Sequence, residues 1–120
     1  MSKLCLVTGV GPGTGTATVR RFSESGYKVA MLSRSEERLS SLEAEIPNTK
    51  AYPCDVSNEE QMAQVINLVK DELGIPDVLV HNAVRGGRGN FLEIKPKDLL
   101  KNFEINTMGL LYLSRGFAEE

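Results

Sequence analysis

A chain of 120 residues, 41% hydrophobic and 25% charged with 11 glycines and no tryptophan, suits one domain spanning 1–120 with a single core and leaves no room for a separate substrate domain. A formal net charge of −2, with no basic run longer than Arg20-Arg21, excludes a nucleic-acid footprint as partner surface. No apolar run nears the roughly 20 residues that span a bilayer, and the apolar start enters a glycine loop instead of a cleavage site, so no membrane partner and a cytoplasmic location are expected.

Residues 3–8 (KLCLVT) read as a compact strand, 9–15 as a glycine loop, and 16–25 as a helix whose Ala17, Val19 and Phe22 recur at helical spacing. Gly26 ends that helix, tolerating the left-handed φ of a C-terminal cap. Residues 27–32 (YKVAML) form a second strand. Ser35, followed by Glu36 and Glu37, caps a helix that Pro47 closes. A third strand covers 49–55. Ser57 then caps a longer helix with Glu59 and Glu60 in its first turn, a core face of Met62, Val65, Ile66 and Val69, and a stop at Gly74 and Pro76. Residues 77–82 (DVLVHN) make a fourth strand, 85–90 (RGGRGN) a flexible loop, and the stretch from about Asp98 onward a last helix. Cys5 and Cys54 fall inside predicted strands without metal-ligand spacing, so they read as small buried hydrophobes and no metal site is expected.

Strands alternating with helices, and too hydrophobic to have a wet face, predict an α/β domain: a Rossmann-type doubly wound parallel sheet covered by helices on both sides. Right-handed crossovers then give strand order 3-2-1-4.

The glycine loop carries the chemistry. Gly9, Gly11, Pro12, Gly13, Thr14 and Gly15 follow a strand and open a helix. Missing Cβ atoms permit tight φ values and let backbone amides approach a pyrophosphate, while the helix N-terminus adds unpaired N–H groups and partial positive charge. Gly15 is the candidate for close helix–strand contact. Strict GxGxxG is absent, and a phosphate loop of the GxxxxGK[ST] type fails for lack of a lysine. What fits is TGxxxGxG, with Thr8, Gly9, Gly13 and Gly15 in register, which resembles the cofactor fingerprint of the short-chain dehydrogenase/reductase family. The run from Gly11 to Gly15 also resembles motif I of S-adenosylmethionine methyltransferases. Those enzymes want acids where this chain has Gly9 and Ser33-Arg34.

The rest of the dehydrogenase pattern falls in order. Asp55-Val56 stands after the third strand, where the resemblance implies a hold on the adenine ring. Asn82-Ala83-Val84 resembles Asn-Ala-Gly, with valine for glycine, and Asn106 matches the asparagine of the long helix after strand four. The resemblance implies an oxidoreductase that exchanges hydride with a small-molecule carbonyl or secondary alcohol, forming homo-oligomers at full length. Cofactor choice follows strand two: Ser33-Arg34 replaces the acid of NAD-preferring members, and a guanidinium suits a 2′-phosphate, so NADP(H) is expected, with NAD the alternative.

Of the family's catalytic tetrad only Asn106 is present. Tyr27, Tyr52 and Tyr112 are followed four residues later by Met31, Val56 and Gly116, so there is no YxxxK. The chain therefore reads as part of an enzyme about twice this length, inactive alone. The alternatives are a dinucleotide-binding module without chemistry, either a fragment or a pseudoenzyme, and, more distantly, the methyltransferase. His81, where relatives usually have asparagine, reads as structural. By itself the chain is expected to be marginally stable or self-associating, because residues 78–80 form an apolar strand edge and Phe103, Leu110, Leu111, Leu113 and Phe117 lack cover.

Overall fold

The computed structural model describes residues 3–84 and 90–118. Four parallel strands alternate with helices: β1 (Leu4–Thr8), α1 (Thr14–Glu24), β2 (Lys28–Ser33), α2 (Glu36–Glu45), β3 (Thr49–Pro53), α3 (Glu59–Glu72) and β4 (Val78–His81). A long helical arm follows in three parts: α4 (Pro96–Phe103), a π-helical turn (Glu104–Met108) and α5 (Gly109–Ala118). The sheet order is β3-β2-β1-β4, as the crossover rule requires. Residues 85–89 of the expected loop lie outside the described residues.

Strand side chains alternate between two apolar layers. Leu4, Leu6, Ala30, Leu32 and Tyr52 face α3 and α5, meeting Met62, Ile66, Val69, Leu113 and Phe117. Cys5, Val7, Val29 and Met31 face the opposite layer, where α1 supplies Val19 and α2 supplies Leu39 and Leu42. All five residues of β1 are buried, as befits a central parallel strand. Every residue of β4 is only half-buried. Among the described residues its outer edge has no neighbouring strand.

Several expectations need correcting. The third strand stops at Pro53, so Cys54 lies one residue beyond it, though still buried. The cap of α3 is Asn58, whose side chain accepts from the Gln61 amide. Ser57 instead turns back to Asp55, its hydroxyl donating to Oδ1 at 2.7 Å. The last helix begins at Pro96 and is interrupted at 104–108 by the π turn. Leu113 and Phe117 are covered by α3, while Phe103, Leu110 and Leu111 remain exposed.

Candidate functional site

The C-terminal ends of β1, β2, β3 and β4 open into one cleft of about 580 Å³. In a doubly wound sheet this is the crevice at the topological switch point. Its walls are the Gly9–Gly11 turn, Ser33 to Ser35, Arg38, Cys54 to Val56, Asn82 to Val84, and Ile105. Nine of the thirteen residues expected to hold a cofactor line it, from Gly9 and Gly11 to Val84. Pro12, Gly13 and Thr14 are exposed at the mouth of the loop, and Gly15 is buried beneath it. The wall takes Ile105 rather than the neighbouring Asn106.

The glycine turn is held by steric fit and by hydrogen bonds. Gly9 has φ +66°, and a Cβ there would stand 2.5 Å from the Ala83 nitrogen. A Cβ on Gly15 would run into the Gly9 carbonyl oxygen and come within 2.8 Å of Val10 Cα. Gly15 thus lets the start of α1 lie against the glycine turn at Gly9 and Val10, just beyond the end of β1. The Asn82 side-chain amide donates to the Gly9 carbonyl at 3.0 Å, and the Ala83 amide donates to Thr8 Oγ1 at 3.1 Å. Asn82 thus braces the turn from β4. The Thr16 hydroxyl braces it from α1, donating to the Gly11 carbonyl. A Cβ on Gly13 would meet nothing within 4 Å, and no side chain caps α1 at this position. The Thr16 amide is taken by the Gly11 carbonyl at 3.1 Å, and those of Thr14 and Gly15 stand behind an open backbone, the arrangement that favours an anion.

Charge is distributed unevenly round the cleft. Arg34 and Arg38 are exposed cations on the β2–α2 side. Arg38 was not legible as a site residue by motif; it stands in the first turn of α2, beyond the Ser35 cap, and a Cβ on Gly11 would sit 3.8 Å from its guanidinium. Ser33 Oγ accepts from the Ser35 amide, and Ser35 Oγ accepts from the Arg38 amide, so the start of α2 is bound to the end of β2.

Asp55 stands on the opposite wall. Partial burial pulls its pKa upward, but hydrogen bonds from the Ser57 hydroxyl and amide, with Lys101 and Arg34 nearby, outweigh that and hold the carboxyl below its ordinary value. Lys101 Nζ donates to Ser57 Oγ at 2.8 Å, which ties α4 to this wall. Both cysteines are the reverse case: burial pushes each thiol up to about 11, so neither is a nucleophile at neutral pH. Among the described residues no cluster of His, Cys, Asp or Glu could hold a metal, and no helix is long and apolar enough to cross a membrane.

Residues 3–120 match the family profile described as short chain dehydrogenase. Farnesol dehydrogenase from Aedes aegypti is 34% identical over 119 residues, covering 94% of this chain and 49% of that protein. Among solved structures, a metagenomic short-chain oxidoreductase in complex with NADP superposes with a TM-score of 0.91 at 30% identity, over 98% of this chain and 56% of the other. An NAD+-bound xylitol dehydrogenase superposes with a TM-score of 0.89 at 30% identity, over 97% of this chain and 46% of the other. The chain spans about half the length of the curated relatives it matches.

Proposed function

From the premise that this chain belongs to the short-chain dehydrogenase family, we propose that it is the cofactor-binding part of an NADP(H)-dependent oxidoreductase acting on a small-molecule carbonyl or secondary alcohol. The family assignment sets the methyltransferase alternative aside. Solved relatives are bound to NADP in one case and NAD+ in another, so a nicotinamide dinucleotide fits the family while the choice between the two rests on this chain's own residues.

The carrying observation is the pair Arg34, just after β2, and Arg38, in the first turn of α2, in the same cleft as the glycine turn. An NAD-preferring site needs an acceptor carboxylate there for the ribose hydroxyls, whereas two guanidinium groups suit a 2′-phosphate. Ser33 and Ser35 add hydroxyls beside them. The pyrophosphate would lie against Gly11 to Thr14 and the uncapped start of α1, and the adenine against Asp55 and Val56. Ala83 and Val84 line the route toward the reacting end. When bound, the cofactor supplies or accepts the hydride.

Asn106 is the family's tetrad member in this stretch, and in the family its role is to support a proton relay. None of Tyr27, Tyr52 and Tyr112 is followed four residues later by a lysine. The 120 residues by themselves therefore bind cofactor without turning over substrate. With the rest of the catalytic set in place, the same cleft would serve the oxidoreductase.

The test is a two-residue exchange. Ser33→Asp with Arg34→Ile should weaken NADP(H) binding on the order of ten- to a hundredfold, since one charge-assisted contact contributes about 1.5–3 kcal/mol. Binding of NAD(H) should hold or improve. Calorimetric titration of both cofactors reads this directly, and an unchanged preference in the variant would place the 2′-phosphate elsewhere.

A further inference from the structure

His81, the last residue of β4, takes no part in the cofactor contacts proposed above. Its ring is nevertheless bonded through both nitrogens. Nε2 lies 2.9 Å from the Ile105 carbonyl oxygen, and Nδ1 lies 2.8 Å from Thr8 Oγ1. A carbonyl can only accept, so Nε2 carries the hydrogen. Nδ1 then accepts the Thr8 hydroxyl, and Thr8 Oγ1 accepts in turn from the Ala83 amide. One tautomer satisfies the whole chain of contacts, from the strand end behind the glycine turn to the helical arm.

The far end of that chain is a structural irregularity. In the π turn the Gly109 amide donates to the Glu104 carbonyl, five residues back. Its α-helical partner would be Ile105, four residues back. The carbonyl that loses this donor is the one that His81 engages. Gly109 also makes room for the ring: a Cβ there would stand 3.0 Å from His81 Cε1 and 3.3 Å from Nε2. Asn106 occupies the same turn, one residue after the carbonyl that is held.

We propose that His81 is a positioning residue for Asn106. Its Nε2–H holds the π turn open at Ile105, and through Thr8 it sets that turn in register with the glycine loop. The inference rests on the oxidoreductase reading for its catalytic meaning, while its geometry can be tested without turnover.

The experiment is NMR on the isotope-labelled chain and on four variants. In the wild type, long-range nitrogen–proton spectra should show His81 protonated at Nε2 and bare at Nδ1. Glutamine reaches far enough for its amide to stand in for Nε2–H, whereas asparagine reaches only the Nδ1 position. His81→Gln should therefore keep wild-type amide exchange over residues 105–110. His81→Asn and His81→Ala should speed exchange there about three- to tenfold, the loss of roughly one hydrogen bond. The amides of β1 and β2 should be unchanged. Gly109→Ala should displace the ring and give the same local loosening.

A bare Nε2 in the wild type overturns the proposal, as does equal acceleration throughout the sheet, or unchanged exchange at 105–110 in His81→Ala. If His81→Ala does not fold, the wild-type tautomer and the glutamine–asparagine contrast still decide. Titrating NADPH into the same samples separates the two claims: absent binding with the expected tautomer refutes the oxidoreductase reading alone.

Discussion

Replacing Gly9 with alanine should destabilise the fold severely, and the structure accounts for the size of the effect. Gly9 sits at φ +66°, a left-handed conformation that disfavours an L-residue by about 1–2 kcal/mol. Its new Cβ would lie 2.5 Å, 2.6 Å and 2.7 Å from three backbone atoms at Asn82 and Ala83, none of which can rotate away. Relief requires the end of β4 to retreat, stretching the Asn82–Gly9 and Ala83–Thr8 hydrogen bonds, each contributing about 0.5–1.5 kcal/mol. Together these terms come to about 2–5 kcal/mol, or a fall in Tm of about 8–20 °C for a chain of this size. Gly11→Ala is the control: its Cβ would meet only the tip of Arg38 at 3.8 Å, so stability should hold within about 0.5 kcal/mol. Because Gly11 lines the cleft, that variant should weaken dinucleotide binding instead. Thermal and urea unfolding of the two variants measure the difference. Equal stability of Gly9→Ala and wild type would refute the steric account of the turn.

Asp55 gives a pH signature. Its folded pKa is lowered, so its stabilising contribution is present above the ordinary value of 3.8 and lost as pH falls through the depressed folded value. The stability difference between wild type and Asp55→Asn should shrink on acidification from about pH 5 downward, and a constant difference over that range would contradict the Ser57 and Lys101 contacts. The chain by itself should also self-associate as concentration rises, because β4 leaves an unpaired edge among the described residues and Leu100, Phe103, Leu110 and Leu111 are exposed. Size-exclusion chromatography with light scattering would detect this, and a monomer at all concentrations would count against it.

Much of the fold was legible because its signals are local and repeated. The apolar runs at β1 and β2, alternating with amphipathic stretches, leave the parallel order 3-2-1-4 as the simplest right-handed solution. The glycine turn was legible for the same reason, since Gly9 and Gly15 occupy positions where a side chain would strike backbone. What escaped depends on tertiary competition. Ser57 has the chemistry of a cap, but Asp55 captures its hydroxyl and Asn58 takes the cap. Nothing in the local pattern of residues 104–108 announces a π turn, whose carbonyl is claimed by a histidine 24 residues earlier. Arg38 matches no motif and enters the site only because the Ser33 and Ser35 hydrogen bonds hold the first turn of α2 at the cleft.

The central claim, that this cleft takes NADP(H), is tested most directly by ligand-dependent thermal unfolding with NADPH, NADH and S-adenosylmethionine in parallel. A ligand at a hundred times its dissociation constant stabilises the native state by about 2.7 kcal/mol, which for this chain is a rise of about 10 °C. NADPH should produce that rise at lower concentration than NADH, and S-adenosylmethionine should produce none. Stabilisation by S-adenosylmethionine alone, or by neither dinucleotide, would contradict the account.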